Sequence, residues 1–215
     1  MMIKRLYGGV LRLATGVLRA MDKIAPKRPP RSMRSDAARN RSLLLDAAKA
    51  LFATGGVGVT LDSIAAAAGV GIGTLYRHFP TRLALYEAVY ARDIDAMVAL
   101  SDEMTDTDNS VADLRRWLHA AVDMVATKKG MIAAMAIGAD ATTAISKRFT
   151  GRLIAALEHQ RGRAVAAGML RDDMASEELF LAVIGLCMLR DQPGWQDSAR
   201  RLIDTMIAGL AIKPN

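Results

Sequence analysis

The sequence predicts an all-α chain, and three observations carry that reading. Apolar residues recur at i, i+3, i+4 and i+7 over most of the length, with no strand-like alternation. Ala, Leu and Met are abundant, whereas aromatic residues make up only 5%, a balance that favours helix. Gly and Pro cluster at the breaks between periodic segments. With 215 residues, 52% of them hydrophobic, the chain can build a core, and wholesale disorder is excluded.

Charge divides the chain unevenly. Residues 1–41 hold eleven Lys/Arg against Asp22 and Asp36, while residues 93–215 hold fourteen basic against seventeen acidic residues. The net +7 therefore belongs to the N-terminal end and suggests a polyanion partner there. The single cysteine, Cys187, excludes an intramolecular disulfide and fits a reducing cytoplasm. Three histidines leave little material for a structural zinc site, and no cofactor is expected. No stretch reaches the roughly 18–20 uninterrupted apolar residues of a membrane helix. Arg12 and Arg19 interrupt the apolar run behind Lys4 and Arg5, so a secretory leader is not expected, and the expected location is the cytoplasm.

Along the chain, residues 1–25 can be drawn as a short amphipathic helix weakened by Gly8, Gly9 and Gly16. Residues 26–35 then read as a basic, unstructured linker containing Pro29 and Pro30. Organised sequence begins near Asp36. Leu44, Ala48, Leu51 and Phe52 mark an amphipathic helix that stops at Gly55-Gly56. Thr60 caps a second helix with Leu61, Ile64, Ala65 and Ala68 on its apolar face, and Gly69 ends it. A third runs from about Ile72 to Phe79, stopped by Pro80, and Thr81 caps a longer helix from Arg82. Further helical segments are expected at about 82–104, 110–127, 130–138, 141–167, 176–190 and 196–211.

A helix at 61–68, a turn at Gly69-Val70-Gly71 and a helix at 72–79 have the spacing of a helix-turn-helix, whose second helix enters the major groove of DNA. Leu75 and Phe79 lie one turn apart and face inward, which points Thr74, Arg77 and His78 away, with Tyr76 at the boundary. Arg77 can reach guanine or a phosphate. The stretch from Ala47 to Tyr90 carries Phe52 with Gly55, Thr60, Ile64-Ala65, Ala68-Gly69-Val70, the run Gly73 to Phe79, and Arg82 with Leu85. In these residues, about a fifth of the chain, it resembles the DNA-binding domain of TetR/AcrR-type regulators.

That resemblance implies that Thr60, Tyr76, His78 and Arg82 clamp the DNA backbone while Gly73 and Thr74 approach base edges. Arg39 and Arg41 are placed to steady flanking DNA. Charge and composition set off a basic, flexible extension over 1–35; the resemblance implies a DNA-binding domain over 36–82 and a helical ligand-binding and dimerisation domain over 83–215. Three departures stand out. Position 71 is Gly where a Ser-like cap is usual, position 83 is Leu where an acidic residue is common, and Asp62 opposes nearby phosphate. The recognition helix contains no Asn or Gln, so DNA shape is expected to contribute to specificity.

One recognition helix reads too few base pairs to find its site among genomic competitors, so a homodimer on a pseudo-palindromic duplex is expected. Its apolar surface is expected on the last two helices, through Phe180, Val183, Ile184, Cys187, Ile203, Met206, Ile207 and Leu210. A pocket for a small, apolar effector is expected around Trp117, Met124, Met131, Met135, Phe149, Leu153 and Met188. Repression relieved by that effector is what the resemblance implies. No nucleophile–base arrangement, phosphate loop or paired metal ligands argue for an enzyme. The rival reading is a DNA-architectural or membrane-surface protein acting through the basic N-terminus.

Overall fold

A computed structural model describes residues 31–53, 58–104, 109–188 and 193–212. By backbone contacts the chain divides into Met1–Arg39 and Asn40–Asn215. The described part of the first unit is the start of one helix. Among the described residues there are eight helices: α1 (Arg31–Ala53), α2 (Leu61–Ala67), α3 (Ile72–His78), α4 (Arg82–Glu103), α5 (Ser110–Met135), α6 (Ala139–Ala166), α7 (Ser176–Met188) and α8 (Trp195–Leu210). None is long and apolar enough to cross a membrane. The helix drawn over 1–25 and the stop at Gly55-Gly56 lie outside the described residues.

Two expectations about helix limits are corrected. Helix α1 begins at Arg31, so residues 31–35 are helical where a linker was expected. Pro29-Pro30 bars a helix interior but tolerates a helix starting directly after it, because the first helical N–H groups have no intrahelical acceptor. The second correction concerns Gly130, expected to end a helix at 127 and open another at 130. Helix α5 instead runs unbroken through it to Met135. It stops at Ala136, which adopts a left-handed φ of 50°.

The reason for a glycine at 130 is a neighbour. A Cβ placed there would meet the carbonyl oxygen of Phe52 at 2.3 Å. The last turn of α1 therefore sits directly on the α5 backbone, and only glycine leaves room for it.

In Asn40–Asn215 the buried apolar side chains form one continuous cluster. Leu44, Ala48 and Phe52 of α1 join Ile64 of α2, Leu75 of α3 and Leu85 and Tyr86 of α4. Burying each such aliphatic or phenyl side chain contributes roughly 1.5–3 kcal/mol. Helix α4 packs along α6 and α5, and α5 packs along α6 and α8. Trp117, fully buried, donates its indole N–H to the Met97 carbonyl at 2.9 Å. That bond gives a large apolar side chain a satisfied polar end and locks α5 to α4.

Several buried polar groups are paired, as burial requires. Ser101 donates to the Ala156 carbonyl at 3.1 Å, and Gln160 donates to the Ser101 carbonyl at 2.7 Å. Arg163 reaches the Met104 carbonyl and, at 3.3 Å, Asp113. Asp204 of α8 accepts from His119 at 2.9 Å and pairs with Arg115 at 3.3 Å, tying α8 to α5.

Adding a methyl at an ordinary helical glycine stabilises by about 0.5–1 kcal/mol. At this close approach the sign reverses: Gly130→Ala is expected to lower unfolding stability by about 1–3 kcal/mol, read as a fall in the urea midpoint.

Candidate nucleic-acid interface

The turn between α2 and α3 is closed by backbone bonds that Gly69 makes possible. Its φ is +67°. The Gly69 N–H donates to the Ala66 carbonyl at 3.0 Å and the Val70 N–H to that of Ala65 at 3.0 Å, the double bond of a Schellman end. Val70 packs partly buried against the core. The exit of α2 is thereby set, and with it the start of α3.

Thr60 opens α2 with a reciprocal cap. Its side-chain oxygen accepts from the Ser63 N–H at 3.1 Å, and Ser63 Oγ accepts from the Thr60 N–H at 3.0 Å. Accepting leaves the Thr60 hydroxyl hydrogen available to donate outward, toward an anion. Helix α3 starts at Gly71 with no side-chain cap, consistent with the missing Ser-like residue there. Leu75 of α3 and Phe79, the residue just past its end, are buried and anchor its inner face. Gly73, Tyr76 and Arg77 lie on the outer face, and Tyr76 is 50% exposed.

Arg77 lies back along α3, donating to the Thr74 hydroxyl at 2.9 Å and the Gly73 carbonyl at 3.2 Å. Three of the expected contact residues thus form one hydrogen-bonded group on that face. The Arg41 guanidinium lies over the Phe79 ring, 5.2 Å from its centroid, so α1 brings a cation to the end of α3. Arg82 is exposed at the first position of α4, whose cap is Thr81, accepting from the Ala84 N–H at 3.0 Å. A cation at that end opposes the helix dipole; an external anion would relieve it. Arg39 is exposed on α1 and His78 is half-buried beside Phe79.

Two other groups of expected residues fall differently. Val183, Cys187, Ile203, Ile207 and Leu210 are buried in the subunit's own core and do not face outward as a dimer surface requires. Helices α7 and α8 each have an inner and an outer apolar side, and the inner one is used by the fold. Outward lie Leu181, 67% exposed, Met188, 51%, and Leu202, 52%, beside half-buried Phe180, Ile184 and Met206. Burial pushes the Cys187 thiol up to about 11, which suits an inert core residue.

The residues expected to line an effector pocket enclose no ligand-sized cavity together. Trp117 and Leu153 border a gap of only about 10 Å³, because long apolar side chains interdigitate to close packing there. Met131 and Met135 are core residues, Phe149 packs edge-on against Tyr90, and Met188 is exposed. A cavity of about 600 Å³ lies instead between α1, α4, α5 and α8. Of the expected lining residues it takes Met124, together with Met97, Leu100 and the ion pair of Lys49 with Asp93. Sequence reasoning missed Lys49 and Asp93. The available signal was Asp93 interrupting the apolar stripe of Tyr86, Tyr90 and Met97 at helical spacing.

Comparison with known proteins agrees with the fold. Residues 44–89 match the family described as bacterial regulatory proteins, tetR family, and residues 109–212 match a C-terminal domain described as transcriptional regulator SbtR-like. A TetR transcriptional regulator from Streptomyces coelicolor is 30% identical over 81% of this chain and 99% of its own, with a TM-score of 0.69. A TetR transcription regulatory protein from Mycobacterium vanbaalenii is 29% identical over 84% of this chain and 99% of its own, with a TM-score of 0.65. An HTH-type transcriptional regulator of Staphylococcus aureus is 37% identical over 79 residues, 36% of this chain. The match spans 43% of that relative's length, less than half of it.

The cap makes a local prediction. Thr60→Ala is expected to cost about 1 kcal/mol of stability while Thr60→Ser costs little, measured by thermal melting.

Proposed function

We propose, since this chain belongs to the TetR family of bacterial regulatory proteins, that it binds a pseudo-palindromic DNA site as a homodimer and represses until a small effector releases it. The observation that carries this reading is the outer face of α3. Tyr76 stands half-exposed beside Gly73, Thr74 and Arg77, while Leu75 and Phe79 hold the helix from behind. A large aromatic carrying a hydroxyl has no packing reason to be outside, and it suits a phosphate or a base edge.

In this reading Thr60, Tyr76, His78 and Arg82 hold phosphates, Gly73 and Thr74 approach bases, and Arg77 leaves Thr74 for guanine or phosphate. Arg39 and Arg41 steady the flanking duplex. The outward apolar residues Leu181 and Met188 of α7 and Leu202 of α8 support pairing through α7 and α8 of two subunits, since large apolar side chains are favoured in an interface over water. The cavity beside Asp93, about 600 Å³, is within the range that holds small ligands.

Duplexes selected from random DNA by the full chain are expected to carry two half-sites about 34–36 Å apart. Tyr76→Ala is expected to weaken binding to them about tenfold or more, at unchanged melting temperature. Equal affinity in a gel-shift titration counts against the docking. Leu181→Glu with Leu202→Glu is expected to shift sedimentation toward monomer and to weaken DNA binding together.

A further inference from the structure

The cavity between α1, α4, α5 and α8 contains one feature that its apolar walls do not explain. Asp93 lies on α4 with its side chain only 5% exposed, and its carboxylate meets Lys49 Nζ of α1 at 2.5 Å. Both residues line the cavity. The lysine differs sharply from its partner: its side chain is 51% exposed and reaches the carboxylate from the solvent side. Met97, Leu100 and Met124 supply apolar wall, and Glu103 and Asp123 add two further carboxylates, that of Asp123 paired with Arg200.

We propose that this cavity takes a cationic amphiphile, an apolar body carrying a protonated amine, whose ammonium replaces that of Lys49 on Asp93. The inference rests on the effector-responsive reading above and names its ligand class. The asymmetry of the pair decides the sign of the charge. Lys49, half in water, can leave at little cost because solvent receives its ammonium. Asp93 cannot be left alone, since a buried carboxylate without a counter-charge is strongly disfavoured. A cation preserves that compensation, and an anion competing for Lys49 would destroy it.

The exchange also explains how occupancy reaches the reading helices. Lys49 belongs to the last turns of α1, which also carries Arg41 to the end of α3. Among the described residues, a ligand on Asp93 breaks one of two ion pairs that join α1 to α4, leaving that of Asp46 with Arg92 at 2.6 Å. The ligand therefore favours arrangements in which α1 is loosened from α4.

Calorimetric titration of the DNA-free full chain with 4-phenylbutylamine, 4-phenylbutanol and 4-phenylbutyrate tests the charge preference directly. These probes share one apolar body. The amine is expected to bind at least about tenfold more tightly than the alcohol, with the carboxylate weakest. Asp93→Asn is expected to abolish the preference. Lys49→Gln, which removes the competing ammonium, is expected to tighten amine binding about threefold or more. Equal affinities, no binding by any probe up to about 10 mM, or a preference that survives Asp93→Asn overturns the proposal. Should Asp93→Asn fail to fold, unchanged or weaker amine binding by Lys49→Gln overturns it alone. Equal amine affinity for free and DNA-bound protein overturns the coupling, because linkage is reciprocal. None of the DNA-free titrations depends on DNA, so a chain indifferent to duplex would sink the regulator reading separately.

Discussion

The seat of α1 on α4 and α5 is the constraint on which the rest of the molecule depends. At Gly130 the two backbones come so close that a single methyl group would collide with the Phe52 carbonyl. One turn earlier, Lys49 reaches Asp93, and a further turn earlier Asp46 pairs with Arg92. Close packing of this kind has no slack. A displacement of α4 must move α1 or break these contacts, and α1 holds the far end of the helix-turn-helix through Arg41 and Phe79.

That seat matters because the reading helix cannot organise itself. Helix α3 has seven residues, too few for independent stability in water. Leu75 and Phe79 stabilise it by burial, and the double-bonded exit of α2 at Gly69 fixes where it starts. Its outer residues are positioned only as well as its inner ones are packed. The same logic applies to Arg77, whose bonds to Thr74 and the Gly73 carbonyl hold a long side chain in one place before any partner arrives. Preorganisation of that sort lowers the ordering entropy of a later contact.

Helix α4 is the shared member of the assembly. It takes ion pairs from α1 on one side, and on another it pairs through Glu87 with Arg148 and through Asp95 with Arg152 at 2.8 Å on α6. Exposed pairs of this kind contribute little each. Lys49 with Asp93 differs because one partner is buried, so removing the cation alone is expensive. A cavity beside that pair is therefore well placed to change how α1 and α4 fit.

The sequence by itself determined the features whose causes are local. The all-α class, the limits of α2 and α3, the left-handed Gly69, the caps at Thr60 and Thr81, and the inward pair Leu75 and Phe79 all follow from residues within a turn or two of one another. Such patterns survive in a linear reading because their partners are close in the chain. Tertiary structure alone decided the rest. Gly130 looked like a helix break because its neighbour, Phe52, is remote in sequence. The pairing of Asp93 is not legible in the sequence because its partner lies 44 residues away. Helix α7 is apolar on more than one side, and composition cannot say which is turned inward; only the packing of Leu179, Val183 and Cys187 does. Met131 and Met135, expected to line a pocket, fill space instead, because a cavity is a property of how helices meet and not of any one helix.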